Sequence, residues 1–421
     1  TAVGKSALGT LTTGNENVAM GESAMLNATT AYDSVAIGFE AGKALTTAHS
    51  NTIVGQQAGL TITTGSDNVI IGDAAALASA TDADGCVIIG QAALLNCPED
   101  ELVAIGYNAL NASVSGAVFN TAVGYKALRS NTTGTRNVAL GWEAGENLTT
   151  AERCILIGQN VAQGVMTGND NIIIGREAGY ILTAGGSNVA VGNYALDATT
   201  TGDLNVAVGY GALTAQNANC YNTAVGANCL EANTTGSNNV GLGRLAGSVI
   251  TTGSQNVCLG WQTGQGLTTG DNNILIGYKA GNTGNGDNQL YIARSNGGAG
   301  SASQWIVGNS VGACTQGNNS SSWTTTSDER LKKNIVDNNK GLAEINQLRV
   351  TNFEYKKEDE IDMSEFPLSN DPHQIALGEG HERAIQTGVI AQEIEKVLPE
   401  SITVSNFGAK TVNTDPIMWA M

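Results

Sequence analysis

The chain has 421 residues, a net charge of −18, and 54 glycines against 5 prolines. Scarce proline and glycine that does not recur every third residue exclude a collagen helix, and 41% hydrophobic content excludes wholesale disorder. The acidic balance, with no basic run interleaved with aromatics, argues against a nucleic-acid partner, and no run of 18 apolar residues is present to insert into a membrane.

Residues 1–281 repeat one short phrase, as in Asn137-Val138-Ala139-Leu140-Gly141 and Asn205-Val206-Ala207-Val208-Gly209. Its glycine recurs from Gly4 to Gly277 at a step of 17 residues, with steps of 18, 16 and 18 between Gly72 and Gly124. A fixed short period of this kind signals a solenoid. The residues before the glycine alternate, which predicts a short strand with one buried face. The glycine permits a turn that a Cβ would obstruct. Three residues later stands Ala in most coils, followed by Leu or Gly, both suited to a narrow interior. A second glycine, ten residues after the first in coils such as Thr132-Thr133-Gly134, predicts a second corner and a flattened coil with two short faces.

Asn stands four residues before the repeat glycine at twelve positions, from Asn17 to Asn273. Stacked amides can bond one to the next up a column, so these residues are expected to form a structural ladder rather than a ligand site. Adjacent threonines in a strand point to opposite faces, which argues against an ice-binding array. Calcium-binding nonapeptide repeats are absent. The rod's one proline, Pro98, marks a surface bulge, with a receptor-contacting loop as the sharper alternative. Stacking at about 4.8 Å per coil predicts a rod of about 80 Å. One such rod buries little per coil, so joining three copies along the axis is expected to supply more core.

These repeats resemble the heads of trimeric autotransporter adhesins of the YadA type, and similar repeats in phage fibres. The resemblance covers 1–281 and implies parallel β-rolls, three chains side by side. The 17-residue coil exceeds the usual coil of that family and implies a longer second face.

The seven cysteines (Cys86, Cys97, Cys154, Cys220, Cys229, Cys258 and Cys314) form no CxxC pair and are odd in number, so they are read as small buried hydrophobes. Neither a metal nor a cofactor is expected.

From 282 to 326 the repeat decays into a neck with two strand-like runs, Leu290–Arg294 and Trp305–Gly308. Composition then changes: residues 1–326 carry 31 charged side chains, residues 327–421 carry 27. This last segment reads as α/β. Helices are expected within 338–348 and over Ala391–Leu398, the second stopped by Pro399, and strands over Val350–Tyr355 and Gln386–Ile390. The acidic stretch Glu358–Glu365 reads as a solvated insertion.

Ser327-Asp328-Glu329-Arg330-Leu331-Lys332-Lys333-Asn334-Ile335, followed by Gly388-Val389-Ile390-Ala391-Gln392-Glu393 and Leu398-Pro399, resembles the endosialidase-type intramolecular chaperone, a family of self-cleaving domains on phage tail spikes and fibres. The resemblance covers 327–421. It implies that Ser327 is the nucleophile, Lys332 its general base and Thr326–Ser327 the bond cut. Such a dyad is chemically sound if burial depresses the lysine pKa. Taken alone, a Ser and a Lys five apart mean a capped helix start. His373 and His381 receive no role. Members of the family continue beyond a motif like Asp415-Pro416-Ile417-Met418 into a long helix, whereas this chain stops at Met421.

The expected fold is therefore mainly β: a parallel β-solenoid of 17-residue coils forming a trimeric rod, followed by a small α/β chaperone domain. The function implied is that of a distal tail-fibre protein of a virion, made in the host cytoplasm. Its partners would be two further copies of itself, a host-surface polysaccharide or protein receptor, and other fibre proteins through a segment preceding Thr1. Its only chemistry would be single-turnover serine endopeptidase self-cleavage. Two alternatives compete. A bacterial surface adhesin needs a membrane-anchor barrel. A polysaccharide-degrading tail spike needs two positioned carboxylates, and the acidic residues of the rod are scattered.

Overall fold

A computed structural model describes residues 1–78, 82–95, 101–114, 116–218, 220–281, 285–294, 304–308, 314–316, 342–353, 364, 386–388, 390–404 and 410–412. The chain divides into two compact units, Thr1–Ser321 and Ser322–Met421.

Unit one is the solenoid. Seventeen strands, β1 (Ala2–Val3) to β17 (Ile274–Ile276), each three residues long except the first, form one continuous parallel ladder. Equivalent residues stand in register, so that Val138 pairs with Ile155, Ile155 with Ile172 and Ile172 with Val189. Each coil contributes one strand; the second face is built from turns. Those turns need unusual backbone. The residues five before, two after and four after the repeat glycine lie in the left-handed region, as at Arg136, Glu143 and Leu128.

The repeat glycine is required twice over. Gly38 has φ +139°, and a Cβ there would lie 2.3 Å from the carbonyl oxygen of Gly55. The second glycine differs from expectation. Gly236 has no positive φ; its need is close approach, because a Cβ would sit 2.0 Å from the Gly253 oxygen. It marks contact between coils rather than a corner.

The interior is narrow, and twelve of the coils place a large apolar side chain in one of two slots. Where Met25, Leu110, Leu128, Leu196, Leu213 or Leu230 stands four after the glycine, the residue seven after is Ala28, Ser113, Asn131, Thr199, Gln216 or Asn233. Where Gly42, Gly59, Gly145, Gly179, Gly247 or Gly264 takes the first slot, the second holds Leu45, Ile62, Leu148, Leu182, Ile250 or Leu267. A Cβ on Gly42 would meet Leu45 Cδ1 at 2.8 Å, which shows that the two slots share one space. Close packing tolerates one occupant and not two.

Asparagine stitches coil to coil. Asn222 Oδ1 accepts the backbone N–H of Asn239, and its Nδ2 donates to the carbonyl of Gly236, both at 2.9 Å. The same two bonds recur at Asn17, Asn51, Asn68, Asn137, Asn171, Asn188, Asn239 and Asn256. Amide-to-amide bonds of the expected ladder occur between some neighbours, such as Asn256 and Asn239 at 3.1 Å, but the recurrent partner is backbone. Buried N–H and C=O groups left unpaired are costly, so a side chain that serves one of each is retained coil after coil. The Thr-Thr corners work similarly: Thr12, Thr132, Thr183 and Thr251 each donate their hydroxyl to the carbonyl one coil ahead.

The ladder ends in a reversal. β18 (Leu290–Ala293) continues parallel to β17, but β19 (Gln304–Gly308) and β20 (Cys314–Gln316) run antiparallel, closing the last coil with a meander. The neck strands anticipated at 290 and 305 are these.

In unit two, α1 (Leu342–Ile345) precedes β21 (Thr351–Phe353), which pairs antiparallel with β22 (Gln386–Gly388). α2 (Ala391–Val397) follows, buries Ile394, and gives way at Pro399 to a single 3₁₀ turn. β23 (Ile402–Val404) and β24 (Lys410–Val412) form a hairpin. Among the described residues, each anticipated helix and strand has its counterpart in α1, α2, β21 and β22. The insertion expected at 358–365 lies outside the described residues apart from Ser364.

Candidate functional site

Two places bear on function, the first marked by sequence and the second by the structure. The first, Thr326, Ser327 and Lys332, lies outside the described residues, as does Pro98. What is described is the frame that follows. Gly388-Val389-Ile390-Ala391-Gln392-Glu393 runs from the end of β22 into the first turn of α2. Glu393 there holds Arg349, whose Nε lies 3.2 Å from Oε2, and the arginine keeps the Glu393 carboxyl below the usual carboxylate range. Arg349 stands two residues before β21, so this pair ties the strand pair to the helix. Lys410 on β24 pairs with Glu395 of α2. The sequence motif thus includes a structural carboxylate, a role that its spacing alone did not disclose.

The second place is the outer surface of the strand ladder. In each coil the middle strand residue faces inward: Ala19, Ala139, Ala190 and Ala207 are fully buried. The larger flanking residues face outward. Among the strands the position three before the glycine is always Val, Ile or Thr, and the position just before it always Val, Ile, Leu or Met. Leu242 is 52% exposed and Met20 42%. The expectation of one buried face is met: the middle residue, Ala in some strands and Ile53, Ile70, Ile88, Leu156, Ile173 or Leu275 in others, lies inside, while apolar flanking residues stay exposed outside, an exposure that burial in a lone rod does not account for.

Two flanks border this face. The residue just after the glycine is often aromatic: Tyr107, Tyr125 and Trp142 stack in successive coils at 5.3 and 4.1 Å between ring centroids. The residue five before the glycine forms the other flank, where Arg153 binds Asp170 through two bonds of 2.7 and 3.0 Å, and the guanidinium lowers the aspartate's pKa. Salt links Lys126–Glu143 and Arg129–Glu146 run between coils beside the aromatic stack.

The cysteines divide. Cys86, Cys154, Cys229 and Cys258 are buried, while Cys220 is only partly so. Burial pushes the Cys154 thiol up to about 11 and those of Cys229 and Cys258 up to about 12. Cys97 lies outside the described residues.

The change of composition at 327 and the strand–turn–helix frame that follows have a counterpart among known families. Residues 327–403 match the family model of the chaperone of endosialidase. The match spans under a fifth of the chain and starts on Ser327. It takes in α1, β21, β22, α2 and most of β23, whereas β24 falls beyond it. A β-solenoid rod ahead of an endosialidase chaperone is the make-up of a tail-fibre or tail-spike type of protein. No curated protein and no solved structure matched the chain.

Proposed function

We propose that the chain is the distal shaft of a bacteriophage tail fibre, built from three parallel copies and aligned by an endosialidase chaperone that then severs itself between Thr326 and Ser327. The observation that carries this reading is the chaperone match opening on Ser327, directly behind the rod. Near-identical coils can pair out of step at little cost, and parallel β pairing forms slowly, so a C-terminal clamp that sets the alignment first suits this rod.

The outward apolar face supports the three-copy arrangement. Sixteen steps of about 4.8 Å and a strand width of about 10 Å give roughly 770 Å² per copy, close to the ~800 Å² per partner of a stable interface. Three such faces turned toward a common axis bury one another. The assembled shaft stands in the virion, joins other fibre proteins, and meets a host-surface polysaccharide or protein.

The cleavage chemistry needs no group beyond the chain and water. Ser327 Oγ adds to the carbonyl carbon of Thr326 while a neutral Lys332 amine takes the hydroxyl proton. The proton passes to the Ser327 nitrogen as the C–N bond breaks. Water then hydrolyses the resulting ester, leaving a Thr326 carboxylate and a Ser327 hydroxyl. A lysine can act this way where desolvation lowers its pKa. On a denaturing gel the wild-type chain should separate into 1–326 and 327–421, and Ser327→Ala should stay whole. An uncut wild type, or a cut Ser327→Ala chain, removes the cleavage from the reading.

A further inference from the structure

Resting on the three-copy reading above, we infer that the rod carries its own register code: the flank five residues before the repeat glycine in one copy meets the flank just after the glycine in the next copy, at the same height. The outward strand face is bounded by two turns, one at the left-handed residue five before the glycine and one at the glycine itself. The side chains at these two edges are therefore the first to reach beyond the apolar face on either side. Rotation about an axis parallel to the rod carries one edge onto the opposite edge of the neighbour and leaves its height unchanged. Symmetry thus dictates which columns meet, and the side chains can be checked level by level.

They match through the middle of the rod. At one level Phe119 faces Tyr125 of the next copy, and at another Leu204 faces Tyr210. All but Tyr125 are large apolar side chains left about half exposed in the single chain. Arg136 faces Trp142, a cation over an aromatic ring. Asp170, already held by Arg153, faces Arg176 and gains a second cation.

A slip of one coil loses the ion pair and the Leu204–Tyr210 contact in either direction. In one direction Arg153 faces Arg176, a like-charge contact, and Leu204 faces Ala227. The other direction keeps ring and cation contacts, with Phe119 facing Tyr107, Arg136 facing Tyr125 and Arg153 facing Trp142, but Asp170 meets Gln159 in place of its cation, Leu204 meets Asn193, and Asp33 meets Glu22. The levels that favour alignment lie in coils eight to thirteen. Nearer the first coil, Glu16 with Glu22 and Asp67 with Asp73 are acidic on both flanks and add nothing. The coil interior, by contrast, offers no register signal between copies, because its residues never reach the neighbour.

Paired cysteines test this in the full chain. Leu204→Cys with Tyr210→Cys places the thiols on the two flanks of one level; Leu204→Cys with Ala227→Cys places them one coil apart. Within a chain, the strand separates each pair by roughly 20 Å, beyond the ~7 Å reach of a disulfide, so any bridge is between copies. Under copper phenanthroline, a non-reducing gel should show covalent trimers for the first pair and none for the second. The single variants should show none, which excludes the native cysteines. Cross-linking of the second pair instead, or of neither while sedimentation equilibrium reports a trimer, overturns the column pairing and leaves the three-copy reading standing. A monomer in sedimentation overturns both.

Discussion

The shared interior space of a coil can be tested by moving its large side chain from one slot to the other. In the third coil Gly42 and Leu45 form such a pair, and Leu45 is fully buried. Leu45→Ala alone leaves a cavity and should cost about 3–5 kcal/mol. Gly42→Leu alone overfills the space, since Leu45 Cδ1 and Ile53 Cδ1 lie 2.8 and 3.1 Å from the new Cβ, and should cost about 1–3 kcal/mol. The left-handed backbone at Gly42, φ +55°, is shared by Leu8 and Met25 at φ 51° and 49°, so a side chain is tolerated there. Gly42→Leu with Leu45→Ala removes the contact with Leu45 and fills the space it leaves, while that with Ile53 Cδ1 stays, so the double variant should cost clearly less than the sum of the singles. Urea midpoints, with amide exchange in strand residues 35–37 and 52–54 as the local probe, measure all three variants. If the double variant loses as much as the sum of the singles, the two slots do not share a space and the packing argument fails.

Asn222→Ala strands the Asn239 N–H and the Gly236 carbonyl inside the rod and should cost about 2–4 kcal/mol in the same urea assay, whereas the exposed Asn193→Ala should change little. Buried thiols make the rod sensitive to alkali. The raised thiol pKa values of Cys229 and Cys258 mean that the folded state keeps protons the unfolded chain gives up. Their contribution is complete below about 8.5, the ordinary cysteine pKa, and is lost as pH rises toward about 12. Cys258→Ala should flatten that fall in a pH series of thermal midpoints, and Cys154, Cys229 and Cys258 should resist thiol reagents at neutral pH until the rod unfolds. Val208→Glu and Leu242→Glu place charge on the outward face; sedimentation should show loss of the trimer while circular dichroism keeps its β signal.

The architecture was legible because each position in the coil obeys a constraint strong enough to leave one or two residue types. A glycine whose Cβ would strike the next coil cannot vary, and an asparagine serving both a buried donor and a buried acceptor gives way in few coils, as at Ser34, Cys86, Leu102 and Cys154. Gly38 and Asn222 therefore announce the period unaided. What the pattern Val206-Ala207-Val208 did not disclose is direction: alternation is the same whether the bulky pair points in or out, and only the width of the interior decides. The role of the second glycine was misjudged for a related reason, since a close approach and a positive φ both select glycine, and Gly236 satisfies the first alone. The partner slot seven residues after the glycine escaped notice because its occupants range from Leu45 to Asn233, and make sense only beside the residue three positions earlier. At the chaperone, resemblance named Ser327 and Lys332 by order and spacing, while Glu393 was legible as part of a motif but not as the partner of Arg349.

The reversal at β18 to β20 bears on how the ladder ends. A parallel ladder of identical coils is an open template, and two shafts meeting end to end could extend one another without limit. Here the parallel run stops at β18: β19 turns back against it and β20 turns back again, so the last two pairings are antiparallel and are not those of a coil. An end of this kind interrupts the run of matched coils that a second rod would need in order to continue the ladder.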